Sequence, residues 1–391
     1  MTTTSPNPPV KPGLRPYRTL DMWRGLACLL VVAHHQGSIL TGRFPELVAA
    51  PLYQAAVYGY LGVQMFFVIS GYCIAGAACS TLRRGESWGQ FLLARARRVY
   101  PPLWFSLALA ALLSLLAGLL VRSGRLHGSA LASIDILHQS PAYYLSNLTL
   151  TQFQFQQPFL SIVCWTLCYE MAFYLVVSLF LIKRRPETGE VFLLTGLHVV
   201  TLGSLALLTA LPQLRFFPLD LWPQFGLGVI VYDVLKHPRQ ARPRWWLAAA
   251  GLSIGVFAAL RDLPMSLQHE PSRLTFAVTL GFSLLLLVLY RFDDALSRIL
   301  VVRGLISVGL FSYSLYLTHL LLLGLINQGF RTTHLTASAH LLILTLCVLL
   351  AVAAARLFYY ACERPFVQTA RKEPPPPPLP HQNGRGEPES R

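Results

Sequence analysis

The sequence predicts an all-α integral membrane protein, a polytopic bundle of about ten transmembrane helices. Of its 391 residues, 54% are apolar and only 13% are charged, whereas a typical soluble domain has about 25% charged residues. Apolar runs such as 102–121 and 272–290 approach the ~20 residues that a helix needs to cross the ~30 Å hydrocarbon core. Runs of this length and leucine content favour helices over the short alternating strands of a barrel.

Candidate spans emerge when the apolar runs are divided at proline, glycine and charged residues. They cover residues 22–40, 57–79, 102–121, 161–182, 191–211, 217–235, 244–260, 272–290, 304–326 and 338–361. We therefore expect one membrane domain at residues 20–366, between a cytoplasmic N-terminal tail (1–19) and a Pro-rich, disordered cytoplasmic tail (367–391). Because no signal-peptide cleavage site follows the first apolar run, that span should remain as an anchor.

The formal net charge of +15 would suggest a nucleic-acid partner in a soluble protein. With a cytoplasmic N-terminus, however, most of the 32 Lys and Arg residues fall in the inner loops, as the positive-inside rule requires. The charge is thus explained by topology, with both termini in the cytoplasm and no nucleic acid. The seven cysteines form no CxxC pair and no Cys/His cluster of zinc spacing, so disulfides and a metal site are not expected.

Ionisable residues interrupt the first span, and each costs ~2.5–3.5 kcal/mol at mid-membrane unless it faces protein or water. Arg24 and His35 are separated by eleven positions, which on a helix corresponds to ~20° of rotation and ~16.5 Å of rise. One helix face would therefore carry a cation near the cytoplasm and an imidazole deeper inside. His34 is turned ~80° away from that face. The plainer alternatives are a positive-inside anchor for the arginine and interior packing for the histidines.

A carboxylate interrupts the fourth span. Glu170 would lie ~14 Å below the outer face and His35 ~10 Å below it, so the two depths agree within the uncertainty of the span boundaries. A carboxylate beside an imidazole fixes its tautomer and raises its basicity, as a general base requires. The alternative is a structural Glu–His or Glu–Arg pair within the bundle.

Two further motifs lie in the second span and in the inner loop that precedes the third. Arg95 and Arg98 are spaced i, i+3, so both would point to one side of a helix and could hold phosphate groups; a plain inside-positive cluster is equally compatible with that spacing. The run Gly62–Tyr72 offers small residues for close helix packing, with Ser70 as a polar group.

Together these stretches resemble the membrane acyltransferase-3 family of bacterial integral membrane O-acyltransferases, from about Tyr17 to Val367. Six motifs occur in the family's order. They are Leu20-Asp21-Met22-Trp23-Arg24-Gly25 with His35, Phe66-Phe67-Val68-Ile69-Ser70-Gly71-Tyr72, Arg95-x-x-Arg98 with Tyr100-Pro101, Trp165-Thr166-Leu167-Cys168-Tyr169-Glu170 with Phe173-Tyr174, Ser312-Tyr313-Ser314-Leu315-Tyr316 with His319, and Glu363-Arg364-Pro365-Phe366. Gln64 replaces the acid that the family commonly has before the paired phenylalanines.

The resemblance implies transfer of an acyl group, with acetyl expected, from cytoplasmic acyl-CoA to a hydroxyl of a sugar, surface polysaccharide or lipid-linked glycan. It implies a protein of the bacterial inner membrane, with acyl-CoA as a co-substrate and no tightly bound cofactor. The residues expected to act are catalytic His35 and Glu170; acyl-CoA-binding Arg24, Arg95, Arg98 and Tyr100; and a pocket of His34, Ser70, Trp165, Tyr174, Tyr316 and His319. The competing interpretation is a transporter or flippase for a glycan or small solute, which also places ionisable residues at mid-membrane.

Overall fold

The computed structural model describes residues 16–43, 51–125, 136–182, 189–211, 216–237, 242–260, 273–329 and 337–367. Within these ranges all regular secondary structure is helical and no strand occurs, so the predicted all-α class is confirmed. The predicted tails lie outside the described residues except at 16–19 and 367.

The helices, in chain order, are α1 Leu20–Arg43, α2 Pro51–Val57, α3 Gly62–Arg83, α4 Trp88–Arg122, α5 Pro141–Thr149, α6 Gln152–Phe155, α7 Cys164–Ile182, α8 Gly189–Ala210, α9 Trp222–Lys236, α10 Arg242–Leu260, α11 Arg273–Leu289, α12 Asp293–Leu296, α13 Leu300–Leu310, α14 Ser312–Gly329 and α15 Ala337–Phe358. A π-helical turn, Tyr359–Glu363, follows α15.

Helices cover all ten predicted spans. Among the described residues, six helices are long and apolar enough to cross a membrane, or seven if α13 and α14 form one bent span. The first predicted span, α1, does not meet that criterion because it carries several polar and ionisable side chains, and α9 has only 15 residues. Ten crossings and cytoplasmic termini therefore stay predictions.

Helix α1 lies inside the bundle and contacts α3, α13, α14 and α15. Its apolar residues Ala27, Cys28 and Val32 are fully buried, so the polar residues of the same helix face protein. The Asp293 carboxylate accepts hydrogen bonds from the backbone N–H of Arg18 and Thr19, both at 2.8 Å. These bonds fix the residues that lead into α1, and α1 in turn supplies one wall of the site.

Glycine residues allow two pairs of helices to approach closely, as the small-residue run in α3 predicted. A Cβ on Gly71 would overlap the carbonyl oxygen of Phe225 in α9, and one on Gly228 would overlap that of Val68. A Cβ on Gly309 of α13 would meet the backbone of Asp21 in α1. Close backbone approach of this kind is a principal means of helix association in membranes, so the packing prediction for Gly62–Tyr72 is confirmed.

Replacing Gly71 by alanine is expected to force α3 and α9 apart, because the new methyl group would overlap backbone that cannot move aside. We expect a loss of about 1–3 kcal/mol from overpacking, seen as a lower melting temperature in detergent. Gly203→Ala is the matched control, since no neighbouring helix has an atom within 4 Å of the place its methyl group would take. Equal melting temperatures for the two variants would contradict the close packing.

Helix α4 is one continuous helix of 35 residues and starts before the span predicted at 102–121. Ser87 and Gln90 form a capping box at its start, which satisfies backbone N–H groups that a helix leaves unpaired. The helix passes through Pro101 and Pro102. The arginine pair of the third motif therefore lies on the same rigid element as the following apolar run.

The chain bends by 75° between α13 and α14, within the ninth predicted span. The break at Phe311 places the first turn of α14 against α4, where the Tyr313 hydroxyl donates a 2.8 Å hydrogen bond to the carbonyl of Val99. Discontinuous helices are typical of membrane proteins that bind charged solutes inside the bundle, because a helix N-terminus carries partial positive charge.

A polar network joins the C-terminal ends of α3 and α9 to the start of α8. His237 bonds the Asp233 carboxylate at 2.8 Å and lies 3.7 Å from Glu190, which pairs with Arg83 at 2.8 Å. Hydrogen bonds to the two carboxylates raise the pKa of His237 from 6.5 to about 9. The network ties three helices together at one end of the bundle.

The raised pKa of His237 predicts a pH-dependent stability. A histidine with a raised folded-state pKa contributes stability that is complete below pH 6.5 and is lost as the pH rises through about 9. The melting temperature of the purified protein should therefore fall across that window, and His237→Gln should flatten this part of the profile. An unchanged profile in the variant would show that another group is responsible.

Candidate active site

A partly open cavity lies between α1, α3, α4, α7 and α14, with about 690 Å³ of empty space when its open mouth is included. Its walls combine apolar side chains with hydroxyl and charged groups. They are Arg24, Val63, Phe66, Phe67, Ser70, Arg98, Val99, Thr166, Leu167, Glu170, Tyr174, Ser312, Tyr313 and Tyr316. A mostly apolar cavity with a few converging polar groups is the usual form of a ligand site. The walls include residues of the first five sequence motifs.

Charged groups concentrate on one side of the cavity. Arg24 and Arg98 both line it, together with Glu170. The Glu170 carboxylate accepts a 2.5 Å hydrogen bond from the Tyr174 hydroxyl one turn along α7. Arg24 lies 3.5 Å from Asp21 on its own helix and interacts electrostatically with Glu170.

Arg95 lies beside this group of charges. Its guanidinium carbon is 6.0 Å from the ring centroid of Phe91, and its charge acts together with that of Arg98 on the hydroxyl of Tyr174. The Nε atom of Arg95 is buried and has no hydrogen-bond partner among the described residues. Since a buried donor without a partner is costly, this nitrogen is available to an anionic ligand.

A second cluster consists of three histidines. The ring of His35 lies 5.3 Å from that of His34 and 5.2 Å from that of His319, between centroids. The Nδ1 atom of His319 is 2.7 Å from the carbonyl oxygen of Tyr316. Because a carbonyl only accepts, Nδ1 carries the proton and Nε2 of the neutral ring is the acceptor. That Nε2 is buried and has no partner within the described residues.

Tyr316 lies between the charged residues of the cavity and the histidine cluster. Its side chain lines the cavity, and its ring centroid lies 5.8 Å from that of His319. The Tyr316 hydroxyl shares a 2.8 Å hydrogen bond with Thr166 and donates to the carbonyl of Val163 at 3.2 Å. One residue of the cavity wall thus packs against the histidine cluster, whose members do not themselves line the cavity.

The structure brings together part of the predicted site. Of the predicted residues, it places in the cavity wall Arg24, Ser70, Arg98, Glu170, Tyr174 and Tyr316. The three histidines form the adjoining cluster. Trp165 packs instead against Phe67 and Tyr169. The Tyr100 hydroxyl donates a 3.1 Å hydrogen bond to the carbonyl of Thr149 at the end of α5. Tyr100 does not line the cavity.

Two expectations about geometry need correction. Glu170 lies with Arg24 and Tyr174, whereas His35 is ~16.5 Å of helix rise away from Arg24 and lies with His319. In place of the predicted pairing with His35, the Glu170 carboxylate accepts a hydrogen bond from Tyr174 and interacts electrostatically with Arg24, which is closer to the Glu–Arg alternative. Tyr100, which was expected to bind acyl-CoA, instead helps to pack α5 against α4.

Several cavity residues were absent from the predicted site. Thr166, Ser312 and Tyr313 line the wall, and all three belong to motifs that the sequence displays. Glu363 is buried and hydrogen-bonded to Ser314; an acid at the end of an apolar span was the available signal. No group of three potential metal ligands occurs in the described ranges.

The described residues thus form an all-helical bundle with membrane-spanning helices, around a cavity that is lined by arginines and lies next to a histidine cluster. The chain matches the acyltransferase domain family, acyltransferase-3, over residues 17–360. It belongs to that family, as the sequence motifs predicted, and is a membrane acyltransferase. It is 29% identical over 320 residues to a putative membrane-bound transacylase, BcsY, of Komagataeibacter xylinus, covering 77% of this chain and 72% of the relative. No solved structure matches it.

Proposed function

We propose that this protein transfers an acetyl group from cytoplasmic acetyl-CoA to a hydroxyl of a sugar, a surface polysaccharide or a lipid-linked glycan in the bacterial inner membrane. The observation that carries the proposal is that Tyr316, a wall residue of the arginine-lined cavity, packs against His319 of the histidine cluster. A donor with several phosphates and a reactive thioester requires these two environments, one cationic and one able to accept a proton.

The donor head would bind at the arginine side. Arg24 and Arg98 line the cavity, and Arg95 offers a buried nitrogen without a partner among the described residues. Guanidinium groups bind phosphate through paired, charge-assisted hydrogen bonds. The first turn of α14 adds the partial positive charge of a helix N-terminus. Glu170, beside Arg24, would keep that guanidinium oriented toward the donor.

The histidine side would carry the chemistry. His35 would take the proton from the acceptor hydroxyl as that oxygen attacks the thioester carbonyl carbon. The carbon–sulfur bond then breaks, CoA leaves as the thiolate and accepts a proton, and the acyl group ends as an ester on the acceptor. His319, whose Nδ1 is held by the Tyr316 carbonyl, would fix the ring of His35 beside it. Tyr316 and Ser70 would contact the acyl chain or acceptor from the cavity wall.

Membership of the acyltransferase-3 family and the transacylase name of the relative support group transfer over transport. Neither names an acceptor. The cavity adds support for an anionic acyl carrier, since arginines and a helix N-terminus meet on one side of it.

The proposal is tested with purified protein in lipid nanodiscs, radiolabelled acetyl-CoA and a panel of sugars and lipid-linked glycans. We expect label to appear in an alkali-labile ester on the acceptor, with one CoA thiol released for each ester formed. Membranes from cells without this chain are the control. Movement of a glycan across vesicles without any acylation would instead favour the transporter interpretation.

A further inference from the structure

The last sequence motif contributes a carboxylate that no part of the proposed reaction uses. Glu363 ends the π-helical turn after α15 and is only 4% exposed. A π-turn shifts the register of a helix and is often found at functional sites. Burying a carboxylate is costly unless it is paired or hydrogen-bonded, so its partners indicate what it does.

The first partner of Glu363 is the start of α14. Its Oε2 atom accepts hydrogen bonds from the Ser314 hydroxyl at 2.5 Å and from the Ser314 backbone N–H at 3.2 Å. One of the N–H groups that the broken helix leaves unpaired is thereby satisfied. The carboxylate thus fixes the turn that carries Tyr313 and Tyr316 into the cavity wall.

Glu363 also interacts electrostatically, without a direct hydrogen bond, with Arg98 and Arg24, the two arginines that line the cavity. The same turn of α14 is tied to α4 one residue after Arg98, because the Tyr313 hydroxyl donates to the Val99 carbonyl at 2.8 Å. Glu363, Ser314 and Arg98 therefore belong to one connected assembly at the junction of α4, α14 and the π-turn.

We infer that Glu363 is a positioning residue of the donor site, which holds the first turn of α14 and orients the Arg98 guanidinium toward the phosphate groups of the donor. This inference rests on the proposed function for its kinetic consequence, but the orientation of Arg98 is a property of the protein alone. Glu363 itself lies outside the cavity wall and acts through its neighbours.

The test compares Glu363→Gln with wild type in nanodiscs. Glutamine keeps an acceptor for Ser314 but removes the charge that orients Arg98. We expect the KM for acetyl-CoA to rise about fivefold or more while kcat stays within about twofold. Glu363→Asp, which restores the charge at a shorter reach, should recover part of the loss. Glu190→Gln is the matched control: it removes a carboxylate paired with Arg83 and His237, and should lower the melting temperature without changing KM.

A second readout does not depend on turnover. Phenylglyoxal modifies the guanidine groups that it can reach, so its rate of reaction with Arg98 reports how firmly that side chain is held. Labelling of Arg98, followed by mass spectrometry, should therefore be measurably faster in Glu363→Gln, where the side chain is no longer held, while labelling of exposed Arg122 at the other end of α4 should not change. If Glu363→Gln fails to fold, Glu363→Asp is compared with wild type, and faster labelling of Arg98 is again expected because the shorter side chain holds its surroundings less firmly.

The outcomes separate the two proposals. If the wild type shows no acetyl transfer, the proposed function fails, and the Arg98 labelling still decides the role of Glu363. Unchanged Arg98 labelling overturns the inference whatever the kinetics. An unchanged KM in an active Glu363→Gln protein also overturns it, since the charge would then have no effect on donor binding.

Discussion

Arg98→Ala is expected to weaken the use of acetyl-CoA by about 10–100-fold in kcat/KM, most of it in KM. Arg98 lines the cavity together with Glu170 and Tyr174, where a phosphate would find few competing waters. Hydrogen bonds to a charged group contribute about 1.5–3 kcal/mol, and each 1.4 kcal/mol corresponds to about tenfold in affinity. Steady-state kinetics with varied acetyl-CoA, supported by direct donor-binding measurements, check the effect.

The neighbouring arginine provides the matched control. Arg97 is on the same helix and is exposed, so Arg97→Ala removes an equal charge from the same region without touching the cavity. Its KM should stay within about twofold of wild type. If both variants lose donor binding equally, the arginines act only through their summed charge. The specific role of Arg98 would then be wrong.

His35→Ala is expected to lower kcat by about 10²–10⁴-fold, the usual contribution of a general base, with little change in donor binding. The physical reason is that His35 lies beside His319 and near the cavity wall formed by Tyr316, about 16.5 Å of helix rise from the arginine side. Single-turnover measurements with preloaded acetyl-CoA separate the chemical step from binding. Full transfer by His35→Ala would remove it from the mechanism.

His34 offers the comparison for that result. It is 4% exposed, and its ring packs against Tyr60 at 5.8 Å between centroids. His34→Ala is therefore expected to act mainly on stability, by about 1–3 kcal/mol, and on kcat far less than His35→Ala. A greater loss of kcat in His34→Ala would exchange the roles of the two histidines.

Part of this organisation was predictable from the sequence because its causes are local. Long apolar runs dictate helices in lipid, and all ten predicted spans contain helix. The eleven-residue spacing placed Arg24 and His35 at opposite ends of one helix face, and the structure indeed places the first in the cavity and the second in the histidine cluster. The glycines of α3 signalled close packing, which the approach of Gly71 to α9 confirms.

Other features depend on where helices begin relative to one another, and local periodicity does not encode this. Depth counted from the expected end of the fourth span placed Glu170 beside His35. In the structure the packing of α7 against α3 and α4 turns Glu170 toward the cavity, where it lies with Arg24 and Tyr174. Tyr100, beside the arginine motif in sequence, is turned toward α5.

The sequence by itself determined the class, a helical membrane protein of the acyltransferase-3 family. It also identified the few ionisable residues that are too costly to expose to lipid and must therefore have partners within the protein. The tertiary structure decided which partners those residues have. The 75° break before α14 and the π-turn ending at Glu363 place residues from distant motifs around Ser314. These contacts arise from packing between helices far apart in the chain, whose relative depth and rotation are set by the whole bundle and not by any one segment.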